Sequence, residues 1–241
     1  MVWNNPYNNR CVFNNKMKKV YIVIAAYNEE KSIPRVIAGL KKHGYNNIIV
    51  VDDGSKDKTF EVASKENVFV LRHFINRGQG ASLKTGIDYA LLRGADFIVT
   101  FDADGQHHPE DIKALLESIE KNNVEVALGS RFLKENLSIP FIRKLVLKIG
   151  IIVTRVLYGV KLSDSHNGFR VFSRKAAKMI NITSDRMEHA SQIVEEIHKK
   201  KIPFVEVPVT ITYSDYSKQK GQSTLNSVKI GLRMIFRKFM R

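Results

Sequence analysis

The first half of the chain repeats one pattern: a short unbroken apolar run, a polar cluster, then a stretch of helical periodicity. Lys19 to Ala26 is such a run and ends in Tyr27, Asn28, Glu29 and Glu30, with helical spacing to about His43. Ile48 to Val51 ends in Asp52, Asp53, Gly54 and Ser55, and a helical pattern follows from about Asp57 to Glu66. Val68 to Leu71 leads to Asn76-Arg77-Gly78-Gln79-Gly80 and a helix reaching Arg93. Phe97 to Phe101 leads to Asp102-Ala103-Asp104-Gly105-Gln106-His107. Strands without polar alternation are buried on both faces, and strands that alternate with helices build parallel sheets. The pattern therefore predicts an α/β fold: a single, mostly parallel, twisted, Rossmann-like sheet with helices on both faces. In such sheets ligands collect beyond the C-terminal strand ends, so the polar clusters share one edge.

Asp102 and Asp104 stand at i and i+2 where a buried strand ends. On extended backbone both carboxylates point the same way and can converge on one hard divalent cation, Mg²⁺ or Mn²⁺. A diphosphate is the commonest reason for such a cation, and Gln106 belongs to the same turn. Two carboxylates, one amide oxygen and two phosphate oxygens form a suitable hard-ligand set. The triplet would also serve as a solvated turn capping the next helix. Asp53 likewise fits the first position of an Asp-Gly turn. His107 and His108 have no nearby cysteine or third histidine for a zinc site; they read as supporting or helix-start residues, with Pro109 opening the next helix. Gly78-Gln79-Gly80 lacks the third glycine of a dinucleotide fingerprint, since that position is Leu83, and no Gly-Lys-Ser/Thr run is present. Its amides could approach a phosphate beside Arg77, and a plain tight turn fits the same residues.

Five motifs together resemble glycosyltransferase family 2, whose fold is GT-A: Ala25-Ala26-Tyr27-Asn28-Glu29, Val51-Asp52-Asp53-Gly54-Ser55, Asp102 to His107, Gly129-Ser130-Arg131-Phe132, and Asp164 to Arg170. The likeness runs from about Lys18 to the C-terminus and falls in the branch of dolichyl-phosphate mannose synthases and bacterial surface-polysaccharide transferases. It implies that Ala25, Tyr27, Glu29, Val51 and Asp53 line a nucleoside pocket. It also implies that Asp102, Ala103, Asp104 and Arg131 meet the nucleotide sugar, with Asp102, Asp104 and Gln106 on the metal. Ala25 stands where the mannose synthases usually carry proline. Lys218 and Lys220 resemble the arginines of a loop that closes over donor phosphates; lysine keeps the charge and loses the bidentate fork. A mere exposed basic loop would read the same.

On the acceptor side, Asp164-Ser165-His166-Asn167-Gly168-Phe169-Arg170 resembles the family's Asp-x-x-Ser/Thr-Gly-Phe motif, with Asn167 replacing the small hydroxyl residue. Family members that act on sugar hydroxyls use an acid of this region as general base, so Asp164 first, Glu188 second and Asp185 are the candidates. Asp185 also fits a helix N-cap. A lipid phosphate acceptor is already anionic and needs no strong base.

At 241 residues and 44% hydrophobic, without a repeat or linker, the chain can bury one sizeable core. Residues 1–16, rich in asparagine, read as a flexible extension, and Met17 offers an alternative start. The GT-A domain is expected over 17–223, divided into a nucleotide-sugar half (17–130) and an acceptor half (131–223), with a basic amphipathic helix over 224–241. Cys11 alone permits no intramolecular disulfide and suits a reducing compartment. Residues 1–130 hold 17 Lys and Arg against 16 Asp and Glu, whereas residues 131–241 hold 22 against 8. A basic acceptor half fits an anionic membrane or a phosphate-bearing acceptor, while no zinc finger, RNP-type aromatic pattern or recognition helix points to specific nucleic-acid binding. Lys229, Arg233, Arg237 and Arg241 form an i, i+4 stripe beside an apolar one, as in helices that lie among headgroups. From Ile139 to Tyr158 four basic residues interrupt an apolar stretch, and no uninterrupted span of transmembrane length exists. The chain thus reads as an inverting, metal-dependent enzyme at the cytoplasmic face of the membrane. It would use a UDP- or GDP-sugar and a lipid-linked or surface-polysaccharide acceptor, with polyprenyl phosphate itself as the alternative; a nucleic-acid binder is the reading of another class. The oligomeric state is left open.

Overall fold

The computed structural model describes residues 10–13, 16–134, 148–152, 155–156, 159–164 and 167–212. Lys218, Lys220 and the expected helix over 224–241 lie outside the described residues, as does most of the apolar stretch from 139 to 158. Among the described residues the chain runs β1 (Arg10–Phe13), β2 (Lys16–Ala26), α1 (Ile33–Lys42), β3 (Ile48–Asp52), α2 (Thr59–Ser64), β4 (Phe69–Arg72), α3 (Gln79–Leu92) and β5 (Phe97–Asp102). It continues with α4 (Asp111–Lys121), β6 (Val126–Ser130), β7 (Arg170–Ser173), α5 (Arg174–Met179), α6 (His189–Lys199) and β8 (Phe204–Pro208).

The expected sheet is there. Its order is β4-β3-β2-β5-β7-β6-β8, with β1 paired antiparallel to the start of β2. β4, β3, β2 and β5 are mutually parallel, and β8 is parallel to β6. β7 is antiparallel to both of its neighbours. That reversal positions the site: β5 and β6 end at one edge, and the segment that enters β7, Asn167 to Phe169, arrives at the same edge.

Successive side chains of a strand face opposite sides, so one apolar run feeds two cores. Ile22, Ile24, Val50, Val99 and Phe101 pack with Ile33, Ile37 and Leu40 of α1 and Ile112, Leu115 and Leu116 of α4. Val23, Ile49, Val51 and Ile98 face the other way, onto Leu83 and Ile87 of α3 and Ile193 and Val194 of α6. Gly86 lets α3 lie close on the sheet, because a Cβ there would stand 2.3 Å from Val23 Cγ1. Helix starts follow local chemistry: Pro34 opens α1 after Ser32, and Asp111 places an acid in the first turn of α4.

One boundary differs from the sequence reading. The flexible extension expected over 1–16 contains β1, because Arg10 to Phe13 carries strand-forming residues that pair back on Lys16 to Lys19. At the other end β8 stops at Pro208, whose missing N–H cannot extend a ladder. Beyond it, Ile211 makes an isolated bridge with His107.

Candidate active site

Asp102 and Asp104 meet at the end of β5, and each is held by named partners. Gln79 Nε2 at the start of α3 donates to Asp102 Oδ1 at 3.1 Å. Gly168 lies directly on this carboxylate, since a Cβ there would be 3.0 Å from Oδ1. Asp104 accepts from the Gln106 backbone N–H at 3.0 Å and from Gln106 Nε2 at 2.6 Å. Gln106 thus turns its amide nitrogen onto Asp104 and fixes that carboxylate. Burial pushes both carboxyls up: Asp102 rises against the opposing pull of Arg170 and Arg131, and Asp104 reaches about 6 with the Asp102 charge as the next cause.

His107 supports the pair from beneath. Its ring stacks on Phe169 with centroids 4.8 Å apart, and Phe101 meets it edge-on at 5.2 Å. The Asp102 backbone N–H donates to Nδ1 at 3.2 Å, and Nε2 lies 3.3 Å from Asp102 Oδ2. Burial lowers this imidazole to about 4, so near neutral pH it is uncharged. A neutral ring that accepts at Nδ1 carries its proton on Nε2, facing the carboxylate. The expectation of a supporting role, not a zinc ligand, fits this placement.

The residues implied for a nucleoside pocket divide into two groups. Tyr27 is exposed at the mouth, beside Asn28, whose positive φ of 54° turns the chain. Asn28 and Glu29 donate backbone N–H groups to Ser55 Oγ at 2.9 Å and Thr59 Oγ1 at 2.7 Å, tying the β2 and β3 loops together. Glu29 is buried, and Ser32 Oγ donates to its Oε2. Ala25 is half-buried between Val51 and Asp102 in register. The Val51 side chain is fully buried against α3, turned into the core by strand alternation. Asp53 is buried as well, and its carboxylate organises a loop. Oδ1 accepts from Arg77 N at 3.0 Å and pairs with His73 Nδ1 at 2.7 Å, while Oδ2 accepts from Gly78 N at 2.6 Å.

Across the cleft the acceptor-side acids are engaged. Asp164 follows the turn at Ser163, whose N–H and Oγ donate to Glu206. Its side chain is 1% exposed and its Oδ2 accepts from Arg131 Nε at 2.6 Å and Arg131 N at 3.2 Å. The residue expected first as general base is thus held against a guanidinium, where it aims Arg131. Asp185 lies on the surface 3.6 Å from Arg77, and Glu188 caps the start of α6 from a half-buried position. Arg170, at the start of β7, is buried and donates to Asn167 O at 2.9 Å and Ala190 O at 3.3 Å. Burial lowers it only to about 10, so it remains a cation, supported by Asp102 and Asp164. Ala103, between Asp102 and Asp104 in sequence, is buried.

Gln79, Arg170 and the Gly168 contact were not singled out from the sequence, although each lies inside a stretch already marked there. The Gly78-Gln79-Gly80 loop also has a sharper reason than a tight turn. A Cβ on Gly80 would lie 2.0 Å from Ser184 O and one on Gly78 2.5 Å from Asp185 O, so these glycines admit the 184–186 segment of the other half.

A divalent cation fits this donor set. Two carboxyls raised by burial, and at Asp104 also by the Asp102 charge, recover ordinary ionisation when a cation neutralises them. Among the described residues no group of three or more His, Cys, Asp or Glu side chains could hold a metal ion.

Comparison with known proteins agrees with the geometry. A family profile described as "Glycosyl transferase family 2" matches residues 21–180. A functionally uncharacterised protein of Methanocaldococcus jannaschii is 40% identical over 225 residues, covering 91% of this chain and 92% of that protein. The UDP-N-acetylglucosamine–dolichyl-phosphate N-acetylglucosaminyltransferase of Methanococcus voltae is 37% identical over 243 residues, covering 92% and 96%. Polyprenol monophosphomannose synthase of Mycolicibacterium smegmatis is 30% identical over 221 residues, covering 86% and 83%. In fold, the chain is similar to glucosyl-3-phosphoglycerate synthase from Mycobacterium tuberculosis, solved in complex with Mn²⁺, UDP and glucosyl-3-phosphoglycerate. That structure gives a TM-score of 0.66 at 16% identity, covering 90% of this chain and 80% of that one.

Proposed function

The chain belongs to glycosyltransferase family 2, and from that premise we propose that it moves a sugar from a UDP-sugar onto a polyprenyl phosphate, with inversion, at the membrane surface. The donor reading draws support from the Methanococcus voltae relative, named for UDP-N-acetylglucosamine, and the acceptor reading from relatives named for dolichyl-phosphate and polyprenol substrates. One observation of the site carries the acceptor: Asp164, the first candidate base, is buried against Arg131, while Asp185 faces Arg77 on the surface and Glu188 stands at the N-cap position of α6. Buried Arg131 and Arg170 place two cations behind Asp102. Such a site suits an acceptor that arrives as an anion, and a phosphate monoester carries about −1.5 to −2 at neutral pH.

The transfer balances without a protein base. An acceptor phosphate oxygen bonds the anomeric carbon from the face opposite the diphosphate. The carbon–oxygen bond to the diphosphate breaks, and UDP departs with the electron pair. Arg131, held rigid by Asp164, presents fixed positive charge where negative charge gathers and needs no reorganisation to do so. Asp102 and Asp104 would hold Mg²⁺ or Mn²⁺, with Gln106 steadying Asp104 or joining the ligands; when bound, the cation neutralises charge on the leaving diphosphate. Tyr27, Glu29 and Asp53 would frame the nucleoside, and Lys218 and Lys220 would meet its phosphates.

A thermal-shift panel of UDP- and GDP-sugars with and without Mn²⁺, followed by transfer assays on polyprenyl phosphate and on glycan hydroxyl acceptors, tests this. Stabilisation by a UDP-sugar only when Mn²⁺ is present, and product only on the phosphate, is expected. A response confined to GDP-sugars overturns the donor, and transfer to hydroxyls alone overturns the acceptor.

A further inference from the structure

We infer that the loop between β4 and α3 is a membrane finger: Phe74 and Ile75 enter the apolar layer of an anionic bilayer, while basic side chains of neighbouring loops lie among its headgroups. The inference rests on the reading of a lipid-borne acceptor. Single exposed apolar residues are ordinary on protein surfaces, but these two are consecutive and large, with Phe74 at 106% and Ile75 at 71% exposure. They are not exposed through slackness. The His73 N–H donates to Asp52 O at 2.9 Å, and Asp53 accepts from Arg77 N and Gly78 N, so both ends of the loop are clamped. The middle is clamped too. Gly54, at φ 66°, lies so close that a Cβ there would be 2.8 Å from Ile75 C. A loop built this firmly holds its two largest apolar side chains in water, which is costly unless something apolar covers them.

Charge identifies the cover. The loop follows a strand of the parallel set, so it stands at the edge that carries Asp102, and Gln79 five residues after Phe74 donates to that carboxylate. Around it on the same edge, Lys31, Lys56, Lys58, Arg72, Arg77 and Arg186 are exposed. Arg72 pairs with Asp52 and Arg77 with surface Asp185, and Glu30 and Asp57 accept from backbone N–H groups of Lys58 and Thr59, which leaves Lys31, Lys56, Lys58 and Arg186 as the basic frame. Apolar side chains framed by exposed lysine and arginine match the surface of an anionic bilayer better than a protein groove. Insertion here would bring the cleft down to the phosphate of an embedded acceptor.

The test uses the full chain and vesicles of phosphatidylcholine with or without phosphatidylglycerol. F74S/I75S should bind the anionic vesicles at least about tenfold more weakly than wild type, an effect of about 1.4 kcal/mol. It should keep the Mn²⁺-dependent donor shift and transfer to a short, water-soluble polyprenyl phosphate, and lose transfer only to the embedded acceptor. Trp3 is the single native tryptophan; in a W3F background, F74W should shift to the blue and be quenched by brominated acyl chains. Unchanged vesicle binding by F74S/I75S, or an F74W that no brominated lipid quenches, overturns the finger. A blue-shifted F74W without vesicles also overturns it: if concentration-dependent it means a second copy covers the loop, and otherwise another part of the same chain does. Failure of the acceptor reading would differ, because then neither the soluble nor the embedded polyprenyl phosphate accepts sugar even from wild type.

Discussion

The half proposed to take the donor (17–130) and the half proposed to meet the acceptor (from 131 on) solve opposite electrostatic problems with the same device. In the donor half, carboxylates are the working groups, and neutral partners hold them: Gln79 and His107 on Asp102, Gln106 on Asp104, backbone N–H groups on Asp53. In the acceptor half, the buried working groups are cations, and acids or carbonyls hold them: Asp164 on Arg131, Asn167 and Ala190 carbonyls on Arg170. An acid in the donor half is therefore available to a cation from outside, whereas the buried acid of the acceptor half is already spent. Identical residue types mean different chemistry according to what already holds them.

The strongest way to break this comparison is to substitute one acid from each half. Asp104→Ala should lower transfer on the order of 10³-fold, the upper end for removing one preorganised charge-stabilising group, with a melting temperature no lower than wild type. Relief from its raised pKa argues against destabilisation there. Near-wild-type transfer in D104A would dismiss the cation from this edge.

Asp164 should behave differently. Removing one partner of a buried ion pair strands the other, so Asp164→Asn should cost about 3–5 kcal/mol in denaturant unfolding, and Arg131→Met a similar amount. The double variant should be less destabilised than the sum of the two, because no buried charge is left alone. Additive losses would show that Asp164 does not act through Arg131. A pH–rate profile adds a readout that packing would not move: if Asp164 were the base, D164N would lose an acidic limb that wild type shows.

The sheet was legible because its strands are continuous apolar runs, and each ends in a cluster that names its own edge. That Asp102, Asp104 and Arg131 stand at one edge was legible for the same reason. The partner of Asp164 was not, because a motif shows where an acid stands and not what pairs with it across 33 positions. The burial of the Val51 side chain against α3 depends likewise on which strand face it takes. β1 was missed because four residues in an asparagine-rich stretch carry too short a signal. The seam formed by Gly78 and Gly80 against Ser184 to Arg186 was beyond pattern reading, since its reason lies a hundred residues downstream.

That seam joins the two halves and offers a smaller perturbation. Gly80→Ala would drive a methyl into the Ser184 carbonyl and the His189 Cβ. Overpacking of this kind typically costs about 1–3 kcal/mol. Chemical denaturation should show that loss, and the donor thermal shift should shrink as well, because Gln79 reaches Asp102 from the displaced turn. A stability loss with the donor shift intact would mean that the halves respond independently.

The smallest expected effect compares the halves through pH. His189, buried at the start of α6, faces Arg186 O through Nδ1 at 2.8 Å, and burial together with Arg170 lowers it to about 4. The folded protein therefore stays unprotonated there while the unfolded chain takes up a proton below about 6.5, so stability falls as pH drops from 6.5 toward 4. Between pH 6.5 and 5.5 this group alone should remove about 1 kcal/mol. Asp104 acts with the opposite sign in the donor half. Its folded pKa is raised to about 6, so proton uptake by the folded state stabilises it as pH falls through that value. Wild-type melting alone would partly cancel the two, and the informative quantity is the difference between wild type and His189→Gln. That difference should shrink by about 1 kcal/mol on going from pH 6.5 to 5.5, because only wild type carries the penalty. A difference that stays constant across the interval would mean that the imidazole charges freely in the folded state, and that burial on the acceptor side is looser than the Arg170 environment requires.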